Sequence, residues 1–378
     1  MSRTRTNLIS LGVGLAAATV GAAVGLAAER LTVGRPLIRR FPQPDDEPGI
    51  GSIRDVPVAV IADDGITLHA EVDEADRAVP GDVTVVFSHG YSNTLDAWHF
   101  QRQALLGRVR CVWWDQRGHG RSERGADGVV SIEQLGRDLH AVIAATAPTG
   151  PLVLVGHSMG GMATMSYAAQ FTPDVRARVC GVGLVATSAG GLGKADLGLA
   201  RFGQLLTRLA PRALTLLSRQ PGLVERTRRI GSDLEEVIVK RWSFGGDVED
   251  SLIDFTARMI AATRIEVVTE FMPAITAVDV QEGLFILRNL ESLVIHGDKD
   301  LMIPPEHSEA LAAVLTRSEH VIVRDAGHLV HLEHPEVVNP HVAALIGRAR
   351  AGLGLTLGTP PTRPVRGLSR RPSEEVTR

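Results

Sequence analysis

The sequence predicts an α/β fold built on a mostly parallel sheet with helices on both faces, and three observations carry that expectation. Short runs rich in Val, Ile and Leu recur along the chain, and stretches of helical periodicity separate most of them. The runs are apolar throughout rather than alternating, which is the pattern of strands buried on both faces. A chain of 378 residues is long enough for one enzyme-sized core with an insertion.

The first elements stand outside that core. Arg3 and Arg5 precede residues 8–28, an uncharged stretch long enough at helical rise to cross a hydrocarbon layer. Residues 1–30 are therefore expected to be a membrane anchor, favoured over a cleaved signal, although Gly25-Leu26-Ala27 resembles a small-residue cleavage site. Arginines on both flanks leave the side of the membrane open. Gly12-Val13-Gly14-Leu15-Ala16-Ala17 matches a dinucleotide fingerprint in letters only, because no strand precedes it. Residues 31–52, rich in Pro, Asp and Gly, read as an extended linker.

The core is expected over 53–188 and 279–350. Runs 56–61 and 66–71 flank Asp63-Asp64-Gly65, a hairpin signal that adds antiparallel strands at one edge. Further strands are expected at 83–87, 109–114, 152–155, 182–186, 293–295 and 321–323. Between 189 and 278 the alternation stops. The stripe Leu199, Phe202, Leu205, Leu206 and Leu209 is helical, so this interval reads as an inserted helical cap, with Arg201, Arg208 and Arg212 in water, a reading favoured over their resting on an anionic membrane surface. Residues 351–378 are rich in Gly, Pro, Thr and Arg and are expected to form a disordered tail.

Composition narrows the function. A net charge of -3 with 22% charged residues presents no basic field for nucleic acid. The two cysteines, Cys111 and Cys180, lie in apolar runs and read as buried small hydrophobes, offering neither a disulfide nor a thiolate metal site.

The chemistry is carried by Gly156-His157-Ser158-Met159-Gly160, placed between a strand-like and a helix-like segment. A match to G-x-S-x-G alone arises in roughly one chain in five of this composition, so the flanking elements carry the inference that Ser158 is a nucleophile. A serine hydroxyl needs a base, a group that orients the base, and donors for the oxyanion. His328, in Asp325-Ala326-Gly327-His328 after an expected strand, is placed to be the base. Asp300, in His296-Gly297-Asp298-Lys299-Asp300, is the candidate acid, with Asp298 as its rival. The oxyanion donors are expected to be the backbone N–H groups of Met159 and of Tyr91, which ends Ser88-His89-Gly90-Tyr91. His331, His334 and His341 crowd His328 and invite a metal reading, but Gly327 and Pro335 interrupt the single helix that such spacing requires. No metal and no cofactor is expected. Trp98, Trp242 and Phe244 are candidates for lining an acyl pocket or for ordinary core packing.

Taken together, His89-Gly90-Tyr91-Ser92, Trp114-Asp115-Gln116-Arg117-Gly118-His119-Gly120-Arg121-Ser122, Gly156-His157-Ser158-Met159-Gly160-Gly161, Gly297-Asp298-Lys299-Asp300 and Gly327-His328 resemble the landmarks of the α/β-hydrolase superfamily, in family order. The elbow and the Asp-Gln-Arg-Gly-His-Gly-Arg-Ser run resemble esterase and monoacylglycerol-lipase-like members. The resemblance implies an eight-stranded, mostly parallel sheet with a cap inserted after the sixth strand. It favours Asp300 over Asp298 by spacing, and it makes Asp115, Arg117, His119 and Arg121 a structural brace. Relatives that cleave epoxides or carbon–halogen bonds carry aspartate at the elbow, so Ser158 implies acyl chemistry.

The expected function is hydrolysis of carboxylic esters of hydrophobic or lipid substrates through an acyl-enzyme on Ser158, with His328 as base and Asp300 as orienting acid. The expected partners are that substrate and, through residues 8–28, a membrane. Acyl transfer, thioester cleavage and cofactor-free perhydrolysis or haloperoxidase chemistry are alternatives on the same triad. A catalytically silent binding protein on the same scaffold is the alternative outside enzymes.

Overall fold

The computed structural model describes residues 49–77, 79–125, 130–192 and 239–355. The expected anchor, most of the linker, the stripe beginning at Leu199 and nearly all of the expected tail lie outside the described residues. Among the described residues, no helix is long and apolar enough to cross a membrane.

Eight strands form one sheet: β1 (Pro57–Ile61), β2 (Thr67–Asp73), β3 (Thr84–Ser88), β4 (Arg110–Trp114), β5 (Leu152–His157), β6 (Val179–Val185), β7 (Glu291–Gly297) and β8 (Ser318–Val323). Their order is β1-β2-β4-β3-β5-β6-β7-β8. The β1–β2 and β2–β4 pairings are antiparallel, and every later pairing is parallel. The Asp63-Asp64-Gly65 turn makes the edge hairpin because Gly65 takes a φ of 86°, a conformation costly for a residue with a Cβ.

Within each central strand, successive side chains serve opposite faces. Val86, Val112, Leu154, Val182 and Val294 enter one buried cluster, covered by α2 (Ile132–Thr146) and α3 (Met159–Gln170). Val85, Phe87, Trp113, Val155 and Ile295 enter a second, covered by α1 (His99–Leu105) and the C-terminal helix α10 (Pro335–Gly352). Burial on both faces explains the uniformly apolar runs. The helix α10 continues to Gly352, past the expected end of the core at 350. Cys111 is buried, while Cys180 is only partly so, and both are free thiols.

One buried cluster is charged. Arg102 of α1 donates to both oxygens of Asp73, at 2.9 and 2.7 Å, and to Glu71 at 2.6 Å, and Trp113 Nε1 donates to Asp73 at 2.8 Å. Arg102, Glu71 and Asp73 are each almost fully inaccessible, so the ions depend on one another for the solvation they have lost.

The helix α4 (Thr172–Arg178) precedes β6, and α5 (Asp250–Ala262), α6 (Ile265–Thr276) and α7 (Gln281–Leu287) lie between β6 and β7. Gly190 pairs with Asp279 in an isolated antiparallel bridge, and Val280 N–H donates to Ala189 O at 2.9 Å, which brings the two ends of this insert together. Phe244, Leu252, Phe255 and Met259 of the insert form a third apolar cluster with Leu329 and Leu332. Beyond β7, α8 (Glu306–Val314) leads to β8, and the short α9 (Val330–Glu333) precedes α10.

Candidate active site

The chain passes from β3 to its neighbour β4, then crosses β3 again to place β5 on the other side. That reversal is a topological switch point at the carboxyl ends of β3 and β5, the kind of place where an open α/β sheet receives its ligands. Tyr91 follows β3 and Ser158 follows β5, so both stand at this point.

Ser158 is the residue between β5 and α3, with φ 51° and ψ −118°, an unfavourable conformation for a side chain with a Cβ. Its surroundings hold it there. Ser158 N–H donates to Val185 O at 2.9 Å, and Thr187 Oγ1 donates to Ser158 O at 2.6 Å. A Cβ on Gly156 would collide with the Gly160 carbonyl, and one on Gly160 with the carbonyls of Ser88 and His89. The glycines of the motif thus let the start of α3 press directly on the end of β3. The same closeness holds for Gly90, whose added Cβ would lie 2.6 Å from His157 Nδ1.

These contacts bring the Tyr91 turn against the elbow. Among the described residues, no protein acceptor takes the backbone N–H of either Tyr91 or Met159. Met159 is the first residue of α3, where N–H groups are free and the helix dipole favours negative charge. The Tyr91 hydroxyl donates to Val268 O of α6 at 2.5 Å, which fastens the turn to the insert.

Asp300 and His328 meet. His328 Nδ1 lies 2.8 Å from Asp300 Oδ2, and Asp300 also accepts from Met302 N–H at 2.8 Å and Ile303 N–H at 3.0 Å. His296 Nε2 lies 3.1 Å from the same Oδ2 and 2.8 Å from Ile303 O. Burial alone would push the Asp300 carboxyl up, but His328 and His296 outweigh it and hold it well below the usual carboxylate range. An ionised carboxylate only accepts, so the His328 Nδ1 that faces it is the donor of this hydrogen bond. The rival Asp298 is exposed and far less suited, its N–H donating to Val323 O.

Ser158 and His328 are not joined by a side-chain hydrogen bond in this structure, and the elbow reaches His328 through His157. His157 Nε2 donates to the His328 carbonyl at 3.0 Å, and the two rings lie 4.8 Å apart between centroids. Burial, then the neighbouring His331 and His328, depress the His157 basicity, so it is a neutral donor. Sequence reasoning overlooked His157 and His296 although both sit inside the quoted motifs; their partners are loops distant in the chain, which spacing does not reveal. Ser158, Asp300 and His328 are each less than a tenth exposed, so charge developing there meets little water.

The remaining candidates divide. His331 lies between Trp98 and His157, His334 is 3.1 Å from Glu336, and His341 is 2.6 Å from Glu319. These histidines face different neighbours, and among the described residues no group of three or more His, Cys, Asp or Glu is arranged to hold a metal. Asp115 accepts from the N–H groups of Leu95 and Arg121, Arg117 is paired with buried Asp138, and His119 Nε2 accepts from Ser92 N–H at 3.1 Å. Asp115 and His119 brace the segment that follows Tyr91, and Arg117 ties its own loop to α2. Trp98 and Phe244 are buried in the apolar clusters, so core packing is their role, not lining a pocket.

A model of the alpha/beta hydrolase fold matches residues 83–335. The chain belongs to the α/β-hydrolase family. This α/β-hydrolase is 24% identical over 263 residues to an sn-1-specific diacylglycerol lipase of Mus musculus, covering 68% of this chain and 79% of the lipase. It is 29% identical over 280 residues to the dihydrolipoyllysine-residue acetyltransferase component of an acetoin cleaving system from Pseudomonas putida, covering 70% of this chain and 64% of that protein. Among solved structures it resembles a thermophilic esterase from Thermogutta terrifontis, with a TM-score of 0.58 and 25% identity over 78% of this chain and 99% of the esterase.

Proposed function

We propose that this α/β-hydrolase is a serine hydrolase of carboxylic esters, acting on hydrophobic or lipid substrates. The observation that carries the reading is the buried hydrogen bond from His328 to ionised Asp300, at the same sheet edge as a serine held in a left-handed turn. The esterase and lipase relatives support it.

In this mechanism Ser158 Oγ attacks the ester carbonyl while His328 Nε2 takes the hydroxyl proton. The N–H groups of Tyr91 and Met159 receive the oxyanion of the tetrahedral intermediate. Its collapse breaks the C–O bond, and His328 returns the proton to the leaving alcohol, giving an acyl-enzyme. Water then attacks the acyl carbon with His328 again as base, and the acid leaves as Ser158 regains its proton. No step requires a cofactor.

Acyl transfer is the second reading, favoured by the acetyltransferase relative and by the dry surroundings of Ser158. Thioester cleavage and perhydrolysis differ only in the group cleaved or in the second acceptor. We also propose that residues 1–30 tether the enzyme to a membrane and that 189–278 form a cap over the site.

The test is fluorophosphonate labelling together with turnover of p-nitrophenyl esters of rising chain length and of acylglycerols, with Ser158→Ala as control. The expected result is labelling and long-chain turnover in the wild type and neither in the variant. Absence of labelling in folded wild type would refute the serine assignment; turnover confined to short soluble esters would refute the lipid preference. Faster product formation with added alcohols, thiols or peroxide would move the reading to acyl transfer.

A further inference from the structure

The loop that carries His328 is pinned from three directions. Lys299 N–H of the acid loop donates to Ala326 O at 2.9 Å, His157 of the elbow donates to the His328 carbonyl, and Leu329 N–H donates to Ser243 O of the insert at 2.9 Å. A fourth tie runs through a carboxyl side chain. Glu333, at the end of α9, accepts through Oε2 from Gly327 N–H at 2.7 Å and through Oε1 from Gly246 N–H at 2.7 Å. Gly245 N–H lies 3.0 Å from both oxygens. One carboxylate therefore gathers donors from the residue before His328 and from two residues of the insert.

No side chain separates these two segments. A Cβ on Gly327 would meet the Phe244 backbone, one on Gly245 the Ala326 backbone, and one on Gly246 would stand 3.0 Å from Asp325 O. Backbone packed on backbone is stiff, because no rotamer can relax to absorb a shift. Displacement of 243–246 must therefore move 326–328 with it.

Resting on the proposed role of His328 as base, we infer that Glu333 is a positioning residue, through which the insert segment 243–246 sets the place of the His328 imidazole. A Glu333→Gln side chain keeps the volume but offers one acceptor and one N–H₂ group, which would confront at least one of the backbone donors. The loop should then settle elsewhere, and displacements near 1 Å cost on the order of 100-fold in rate.

The experiment compares wild type, Glu333→Gln and Gly246→Ala on a short p-nitrophenyl ester, by fluorophosphonate labelling rate, and by the downfield proton resonance of His328 Nδ1–H. Arg348→Gln, at a distant surface ion pair with Glu319, serves as a stability control. For Glu333→Gln, kcat and labelling rate should fall together by roughly 10- to 100-fold with KM within about threefold, and the His328 resonance should shift. Gly246→Ala should shift kcat and the resonance in the same direction by less, since its neighbour need move only slightly. A folded Glu333→Gln with lowered melting temperature but unchanged kcat and unchanged resonance would reduce Glu333 to a structural tie and overturn the inference. If Glu333→Gln does not fold, Gly246→Ala decides on the same two readouts. Wild type that neither labels nor turns over would refute the proposed function, while the resonance would still report whether the joint positions the ring.

Discussion

Replacing Asp300 by Asn separates orientation of the base from simple stabilisation of the loop. Three donors converge on this carboxylate, His328 Nδ1–H and the N–H groups of Met302 and Ile303, at 2.8 to 3.0 Å, and His296 Nε2 lies 3.1 Å from it. An amide supplies only one accepting oxygen. If its nitrogen faced Met302 and Ile303, two buried N–H groups would lose their acceptor, at about 1 to 3 kcal/mol each. If it faced His328 instead, the backbone bonds survive and His296 keeps Ile303 O, so this orientation is the cheaper. The amide then donates to His328 Nδ1, which forces the ring proton onto Nε2 and removes the base. The expected loss is therefore in rate, about 10³- to 10⁴-fold or roughly 4 to 5.5 kcal/mol of barrier, with a stability change of only about 1 to 2 kcal/mol. Because the folded value of Asp300 is depressed, its charge stabilises the protein above the ordinary carboxylate range and that contribution fades as pH falls. The gap in stability between wild type and variant should accordingly close in acid. Fluorophosphonate labelling rates, p-nitrophenyl ester turnover and urea unfolding at several pH values provide the measurements. Activity of Asp300→Asn within tenfold of wild type, or an equal loss in Asp298→Asn, would refute the orientation argument.

Two further predictions concern the support around the site. Tyr91→Phe removes the hydroxyl bond to Val268 but leaves the Tyr91 N–H in place, so urea unfolding should show a loss of about 1 kcal/mol with kcat per folded molecule nearly unchanged. A large kcat loss would mean that the side chain itself acts in the site. Glu71 is pushed up by burial but more strongly held down by hydrogen bonds from His69 and Arg102, to about 2. A depressed folded value contributes stability above the unfolded value and loses it as pH falls through the folded one, so wild type should weaken between about pH 4.5 and 2. Glu71→Gln should be less stable at neutral pH and show a flatter decline in that window when unfolding is followed by circular dichroism.

The sheet was readable because strands buried on both faces leave an uninterrupted apolar signature. Strand ends were less so. The edge strand β8 begins at Ser318 and carries Glu319 and His320, because one side of it faces water and tolerates polar residues. The strand β6 starts at Val179, ahead of the expected 182, since Gly181 and Gly183 interrupt the apolar run while still pairing in the ladder. At the site, Ser158 announced itself through a local turn whose glycines are adjacent in sequence. Asp300 was separable from Asp298 only by resemblance, and the structure supplies the physical difference: one is buried against His328, the other is in solvent. The tie of Glu333 to the insert gave no local signal, because Gly245 and Gly246 are 88 and 87 positions away.

The strained turn at Ser158 has a consequence for how the protein comes into being. Its φ of 51° is held by hydrogen bonds to Val185 and Thr187, with Gly160 beside it lodged against the carbonyls of Ser88 and His89, segments that only the assembled β3, β5 and β6 bring together. An unfinished chain has no reason to keep a serine in that shape and would relax it into an ordinary, unreactive conformation. On the proposed function, the serine is thus armed by completion of the sheet, and a nascent or damaged molecule carries it unarmed. The fraction of molecules that react with an active-site probe then doubles as a count of those whose central strands are correctly docked.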